Sequence, residues 1–225
     1  MAIMATNTGG GDYTITPTGN HRGVCSMVVD LGQQRVQSQM YGEKIKHQVY
    51  VAWELPDETI EWTDKDGNDR TGPMRIGKTY TVSLHENANL RADLESWRGQ
   101  PFTETEPDGF DISKLAGVAA LINVTHKAAG NGKTYANVTA VTPLPKGMEK
   151  PAPANGTIVY DADAPGSFES LPEWLQEKVK AQIIQRADDL PEERGGGGGG
   201  MALAGDLDDD VPFISCDPAL EARVF

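Results

Sequence analysis

The chain is poor in the residues that build covalently stapled or metal-held scaffolds. Across 225 residues there are two cysteines, Cys25 and Cys216, and four histidines. Two lone cysteines support neither a disulfide framework nor a zinc site, and they point to a reducing, cytoplasmic setting (the host cell cytoplasm if the protein is viral). His21, His47, His85 and His126 show no HxxxH or HExxH spacing, which excludes a metal pair on one helix face. No stretch approaches the roughly 20 apolar residues of a membrane span. The opening MAIMATNTGGGDYT lacks the basic start and apolar run of a secretory signal. The Asn-x-Thr triplets at Asn123, Asn137 and Asn155 are therefore read as chance matches. No nucleophile elbow occurs, and the carboxylates fall in turns and in the C-terminal region. No enzyme, cofactor or metal is expected.

Basic excess is missing too. A net charge of −13 argues at first against nucleic acid, whose ligands carry basic footprints. The charge is uneven, however. Residues 20–150 hold fifteen Lys/Arg against seventeen Asp/Glu, a net of −2, whereas residues 151–225 hold five against fifteen, a net of −10. A near-neutral body with an acidic end is a different object from an acidic globule, and such ends are often interaction tails.

What is present is alternation. In Lys44–Leu55, Ile45, Val49, Val51, Trp53 and Leu55 share one parity with His47, and Lys44, Lys46, Gln48, Tyr50 and Glu54 the other. Period two predicts a strand with one buried face. An earlier strand is predicted over Gly23–Leu31, followed by a polar connection from Gly32 to Gly42. Glu58–Trp62 reads as a short continuation beyond Pro56, and a third strand as Lys78–His85. Asn89 can cap a helix with Leu90, Leu94 and Trp97 on one face, ended by Gly99 and Pro101. Strands over Gly117–Lys127 and Lys133–Val141 follow, joined by a turn at 128–132.

Five strands with a helix between the third and fourth is the plan of a mainly β, OB-like barrel, although sheets of other topology share that order. The expected organisation is a loose arm (1–19), a barrel domain (20–148), a Pro/Ala/Gly/Asp-rich linker (149–169), an amphipathic helix (170–187) and a Gly-rich acidic tail (188–225). In that helix Leu171, Leu175, Val179 and Ile183 form an apolar stripe. It fits docking onto the barrel, or else a partner or self-association surface.

Two motifs are discounted on context. Gly72–Thr79, GPMRIGKT, satisfies the P-loop pattern, but a polar turn precedes it, an alternating YTVSLH follows, and Pro73 removes an amide from the would-be cradle. In the turn at 64–69 the glycine falls too early for a calcium loop, and Arg75 stands where a bidentate Glu belongs.

The polar parity of the strands is the candidate binding surface: Lys44, Lys46, Gln48 and Tyr50, with Lys127, Lys133, Tyr135 and Asn137 on the last hairpin. Aromatic rings that stack on bases, with lysines for the backbone, are what single-stranded nucleic acid requires. Beyond six glycines at 195–200 lies Asp208-Asp209-Asp210-Val211-Pro212-Phe213. This segment resembles the DDDIPF-type tip of bacterial single-stranded-DNA-binding proteins. That family joins an OB-fold by a Gly-rich linker to an acidic, Phe-bearing peptide that recruits replication and repair proteins. In the family the Phe ends the chain, whereas here Ile214–Phe225 follow, with a second Phe at 225. The segments WELPDE, ENANLRADLESWRG and NGKTYANVTAVTPLPKGM further resemble a bacteriophage family thought to bind single-stranded DNA. The resemblance implies single-stranded DNA as ligand, and replication or recombination proteins as partners of Asp208, Asp209, Asp210, Pro212 and Phe213. An adaptor whose barrel binds protein rather than DNA is the alternative, and a virion component a third.

Overall fold

The computed structural model describes residues 14–38, 42–63, 67–103, 109–129, 133–161 and 168–182. Its centre is β1 (Gly19–Ser38), a 20-residue strand flanked by β2 (Gly42–Thr63) and β4 (Ala119–Ala128). β3 (Asp69–Thr81) pairs with β2, and β5 (Thr134–Thr142) with β4, giving the antiparallel order β3-β2-β1-β4-β5. The sheet curls into an OB-like half-barrel, with helix α1 (Asn89–Arg98) between the third and fourth strands. A short β6 (Ile158–Tyr160) joins β1 in parallel at Met27–Val29. None of the described helices is long and apolar enough to cross a membrane.

Several boundaries differ from those expected. The connection over Gly32–Gly42 is largely strand: β1 runs on to Ser38, and Gln33, Gln34, Arg35 and Val36 face His47, Lys46, Ile45 and Lys44 across a two-stranded arm. Side chains that look like a polar loop here decorate a hairpin whose backbone groups satisfy one another. The third strand begins at Asp69 rather than Lys78, so Gly72–Thr79 lies wholly within β3 and forms neither a loop nor a helix start. Pro73 is accommodated because β3 ends the ladder, where a missing amide donor breaks no further pairing. The expected linker is partly structured: β6 lies in it, and Ala154 N–H donates to Glu54. The second helix, α2, is Glu173–Lys180, with Pro172 rather than Ser170 at its start. Residues 183–187 of the expected helix lie outside the described residues.

Two apolar layers hold the fold. Inside the curl, Val49, Val51, Trp53 and Leu55 meet Ile122, Val124, Val138 and Val141, and α1 adds Leu90, Leu94 and Trp97. Trp97 fixes the helix by donating to the Ala119 carbonyl at 3.0 Å, and Gly99 ends it at φ 70°, a conformation glycine adopts without strain. Asp93 on α1 accepts from Lys78 and from the Tyr80 hydroxyl, both at 2.8 Å, tying helix to strand. Burial, then the Asp93 charge, push the Tyr80 hydroxyl well above its ordinary pKa, so it stays a donor. Buried Cys25 is likewise pushed up, to about 12, by burial, which leaves it an unreactive thiol.

The second layer lies outside the curl. Met27, Val29, Leu31, Tyr50, Ala52 and Tyr160 are covered by Leu171, Leu175 and Val179. Full burial of a Leu side chain is worth about 1.5–3 kcal/mol, and Leu171 and Leu175 are both fully buried, so α2 docks on the barrel. β2 is consequently buried on both faces from Gln48 to Leu55. Glu54, 2% exposed, is held by Arg75 at 3.0 Å and by the Ala154 amide at 2.8 Å, which compensates its desolvation.

The glycines of the P-loop-like stretch have a packing role. The Tyr50 ring lies across β3 so that its hydroxyl occupies the space of a Cβ at Gly77, and a Cβ at Gly72 would stand 2.9 Å from the Trp62 ring. Strand propensity alone favours Gly77→Ala by roughly 0.5–1 kcal/mol, whereas overpacking of a filled site costs about 1–3 kcal/mol. The second effect is larger. Urea denaturation of Gly77→Ala is expected to show a net loss of about 1 kcal/mol or more, and a gain in stability would contradict this packing.

Candidate nucleic-acid interface

The register decides which of the expected binding residues share a surface. On β2, Lys44, Lys46, Gln48 and Tyr50 alternate on the outer face, opposite Val36, Gln34, Gly32 and Val29. On the last hairpin Lys127 faces Tyr135, Thr125 faces Asn137, and Lys133 shares the parity of Tyr135 and Asn137. Each group lies on one face of its own hairpin, whereas a single shared face was expected. The two groups do not meet along β1: β4 pairs with its first residues, Gly19–Val24, whereas Lys46 pairs with Gln34, fifteen residues on from Gly19. That separation is roughly 50 Å of strand contour.

Burial overturns the tyrosine half of the expectation. Tyr50 is 3% exposed and Tyr135 8%, and Gln48 is at 9%. The Tyr50 ring meets Trp174 of α2 edge-on at 5.0 Å, inside the second apolar layer. The physical reason is long-range: α2 supplies apolar groups that cover the polar parity of β2, a contact no local period can reveal. Neither ring offers an open face to a base. Lys44, Lys46, Lys127 and Asn137 are half-buried and Lys133 is exposed, so the lysines remain at the surface.

The arm of 33–38 and 42–47 is the feature sequence reasoning missed. Its signal was the alternation Gln33, Arg35, Gln37 against Gln34 and Val36, hidden by a loop-like composition. At its root β1 is bulged between Asp30 and Gly32, and Asp30 Oδ1 accepts the Gly32 amide at 2.8 Å while pairing with His47 Nε2 at 2.6 Å. Farther out, Arg35 pairs with Glu43 at 2.5 Å across the strands; both are exposed, so the pair adds only a few tenths of a kcal/mol up to about 1. α2 reaches the root: the Gln34 side-chain amide donates to the carbonyls of Leu31 and Lys178, and Gln182 fills the space above Gly32. The end of α2 thereby brings the Lys178 backbone to the root of the arm, beside Gln34 and opposite Lys46.

Elsewhere several charged side chains are paired. Arg22 clasps Asp57 in a two-bond fork, with Nε to Oδ2 at 2.7 Å and Nη2 to Oδ1 at 2.5 Å. That hydrogen bonding holds the Asp57 carboxyl below its usual range. His21 bridges Glu58 at 3.1 Å and the Pro17 carbonyl at 2.9 Å. Among the described residues no three His, Cys, Asp or Glu side chains are grouped to hold a metal ion. The tail residues Asp208, Asp209, Asp210, Pro212 and Phe213 lie outside the described residues. No family model matches the chain, and no curated protein matches it.

The two kinds of residue on the outer face of β2 should separate cleanly. Tyr50→Ala removes a buried ring and is expected to cost about 3–5 kcal/mol by thermal or urea denaturation. Lys44→Ala should change stability by no more than about 0.5 kcal/mol. Equal, small effects would place Tyr50 at the surface after all.

Proposed function

We propose that this chain is a non-catalytic single-stranded-DNA-binding protein of the phage type, acting in DNA replication or recombination in the cytoplasm of a host cell. The observation that carries the reading is the strand order β3-β2-β1-β4-β5 with α1 between the third and fourth strands, an OB-like plan whose typical ligands are oligonucleotides and oligosaccharides. A near-neutral body favours the nucleic acid of the two, because the chain's acidity is concentrated beyond residue 150. Lysines on both hairpins supply backbone contacts: Lys44 and Lys46 on the arm, Lys127 and Lys133 at the other end of β1. Such contacts are sequence-independent and salt-sensitive. The DDDVPF segment serves partner recruitment: its aspartates are drawn to a basic rim and Phe213 anchors in an apolar pocket. The same segment can occupy the protein's own basic surface until DNA displaces it.

The burial of Tyr50 and Tyr135 favours a second reading, a protein-binding adaptor of a replication complex. Recovery of replication proteins by the chain after nuclease treatment, with no oligonucleotide binding, would support it. The two readings part in a single titration. Fluorescence anisotropy of labelled oligo-dT across a salt series is expected to show binding that weakens with salt, with a log–log slope of about −0.7 per phosphate contacted. Deletion of residues 201–225 should leave the affinity equal or higher. Absence of binding at low salt removes the proposal, and a marked fall on truncation removes the shielding role of the tail.

A further inference from the structure

The arm leaves one strand edge open. On the side of β1 away from β2, β4 pairs only with Gly19–Val24 and β6 only with Met27–Val29. From Gln33 to Ser38 that edge has no ladder partner among the described residues. A two-stranded ribbon is marginally stable in water, and a row of unanswered backbone N–H and C=O groups is a template for a further strand. Proteins block such edges with proline or lysine, and two other borders of this sheet follow that rule. Pro73 stands on β3, and the stretch of β2 that precedes its ladder with β3 carries Lys44 and Lys46. The β1 edge of the arm carries neither. Its one charge, Arg35, is answered within the same hairpin by Glu43.

We propose that a second copy of this chain pairs with the β1 edge of the arm, strand against antiparallel strand, so that the two arms form one four-stranded ribbon. The inference does not depend on what else the chain binds. A twofold axis through the edge keeps each face of the ribbon on its own side, so only residues of like parity meet. Centring on Arg35 sets two guanidinium groups opposite each other. Centring on Gln34 brings Val36 to Gly32, where Gln182 of α2 fills the space above the backbone and the Leu31 carbonyl already accepts from the Gln34 side chain. Centring on Val36 avoids both. Val36 then meets its own copy on one face, and on the other Arg35 meets Gln37 of the second copy, beside which lies that copy's Glu43. Registers centred farther out pair fewer residues. The contact is small: two short strand edges give up well under the about 800 Å² per partner of a stable complex, so the dimer is weak in dilute solution. Copies held side by side on a shared ligand reach millimolar effective concentrations, and there the arms pair.

The test uses the full-length chain, with the melting temperature of each variant measured alongside. Sedimentation equilibrium carried into the high micromolar range should show monomers in exchange with dimers. Gln37→Lys is expected to weaken the association roughly 2- to 30-fold, the effect of two like-charge cross-strand pairs per dimer. Within one molecule that change sets a cation opposite Glu43 and steadies the arm, so the loss reports the contact between copies rather than a damaged hairpin. Val36→Cys on a Cys216→Ser background leaves buried Cys25 as the only other thiol. Mild oxidation should link this variant into a covalent dimer in high yield, because facing Cβ atoms lie about 4.5–5.5 Å apart, close to disulfide range. Gln37→Cys on the same background stands out of step with its own copy and should couple poorly. A chain that stays monomeric throughout, a dimer indifferent to Gln37→Lys, or equal yields from the two cysteine variants overturns the proposal.

Discussion

The fold depends on β1 being bent. A straight strand of 20 residues would span roughly 65 Å and could serve only one neighbour along each edge. Two bulges, between Cys25 and Met27 and between Asp30 and Gly32, break it into three runs with different duties. The first pairs with β4, the middle one with β2 and β6, and the last leaves the barrel as one side of the arm. Bulges strengthen local twist and re-aim side chains. They turn an otherwise flat sheet into a curl that can enclose Trp53 and Trp97. The second bulge also releases Gly32 into a left-handed conformation at φ 67°, and the Asp30 carboxylate ties that turn to His47. Barrel closure, arm direction and the seat of α2 thus trace back to a few residues of one strand.

Burial of β2 on both faces changes what its side chains can do. Val51 and Trp53 belong to the inner layer, while Tyr50 and Ala52 belong to the outer one. The segment therefore behaves as the middle sheet of a three-layer stack rather than as the wall of a barrel with a wet exterior. The accessible lysines of these strands therefore lie at the margins, on the arm and the last hairpin. Glycine at 77 and alanine at 52 are the counterparts of that crowding. Large rings fit between layers only where the neighbouring strand has no side chain to oppose them.

Much of this was legible from local pattern, and the failures share one cause. The inner face of β2, the α1 stripe of Leu90, Leu94 and Trp97, and the Gly99 stop all follow from periods and caps within a dozen residues. Strand order followed from counting elements, with the OB-like plan as the simplest arrangement. What local pattern could not show was which of two polar-looking faces another element would cover. Tyr50 reads as an exposed aromatic among lysines because its cover, Trp174, lies more than a hundred residues later. The arm was hidden for a different reason: glutamine and arginine on a two-stranded ribbon have the composition of a loop, and only cross-strand pairing tells them apart. β6 is three residues long and is stabilised by its neighbour rather than by its own propensity.

Pro73 carries a consequence for the protein in concentrated solution. It stands on the last strand of the ladder, the border where a neighbouring molecule would otherwise continue the sheet. A proline there offers no N–H, and its ring crowds an approaching backbone. Growth of one molecule onto the next along that border is interrupted near its middle, so a β-rich chain carries its own stop against edge-to-edge stacking.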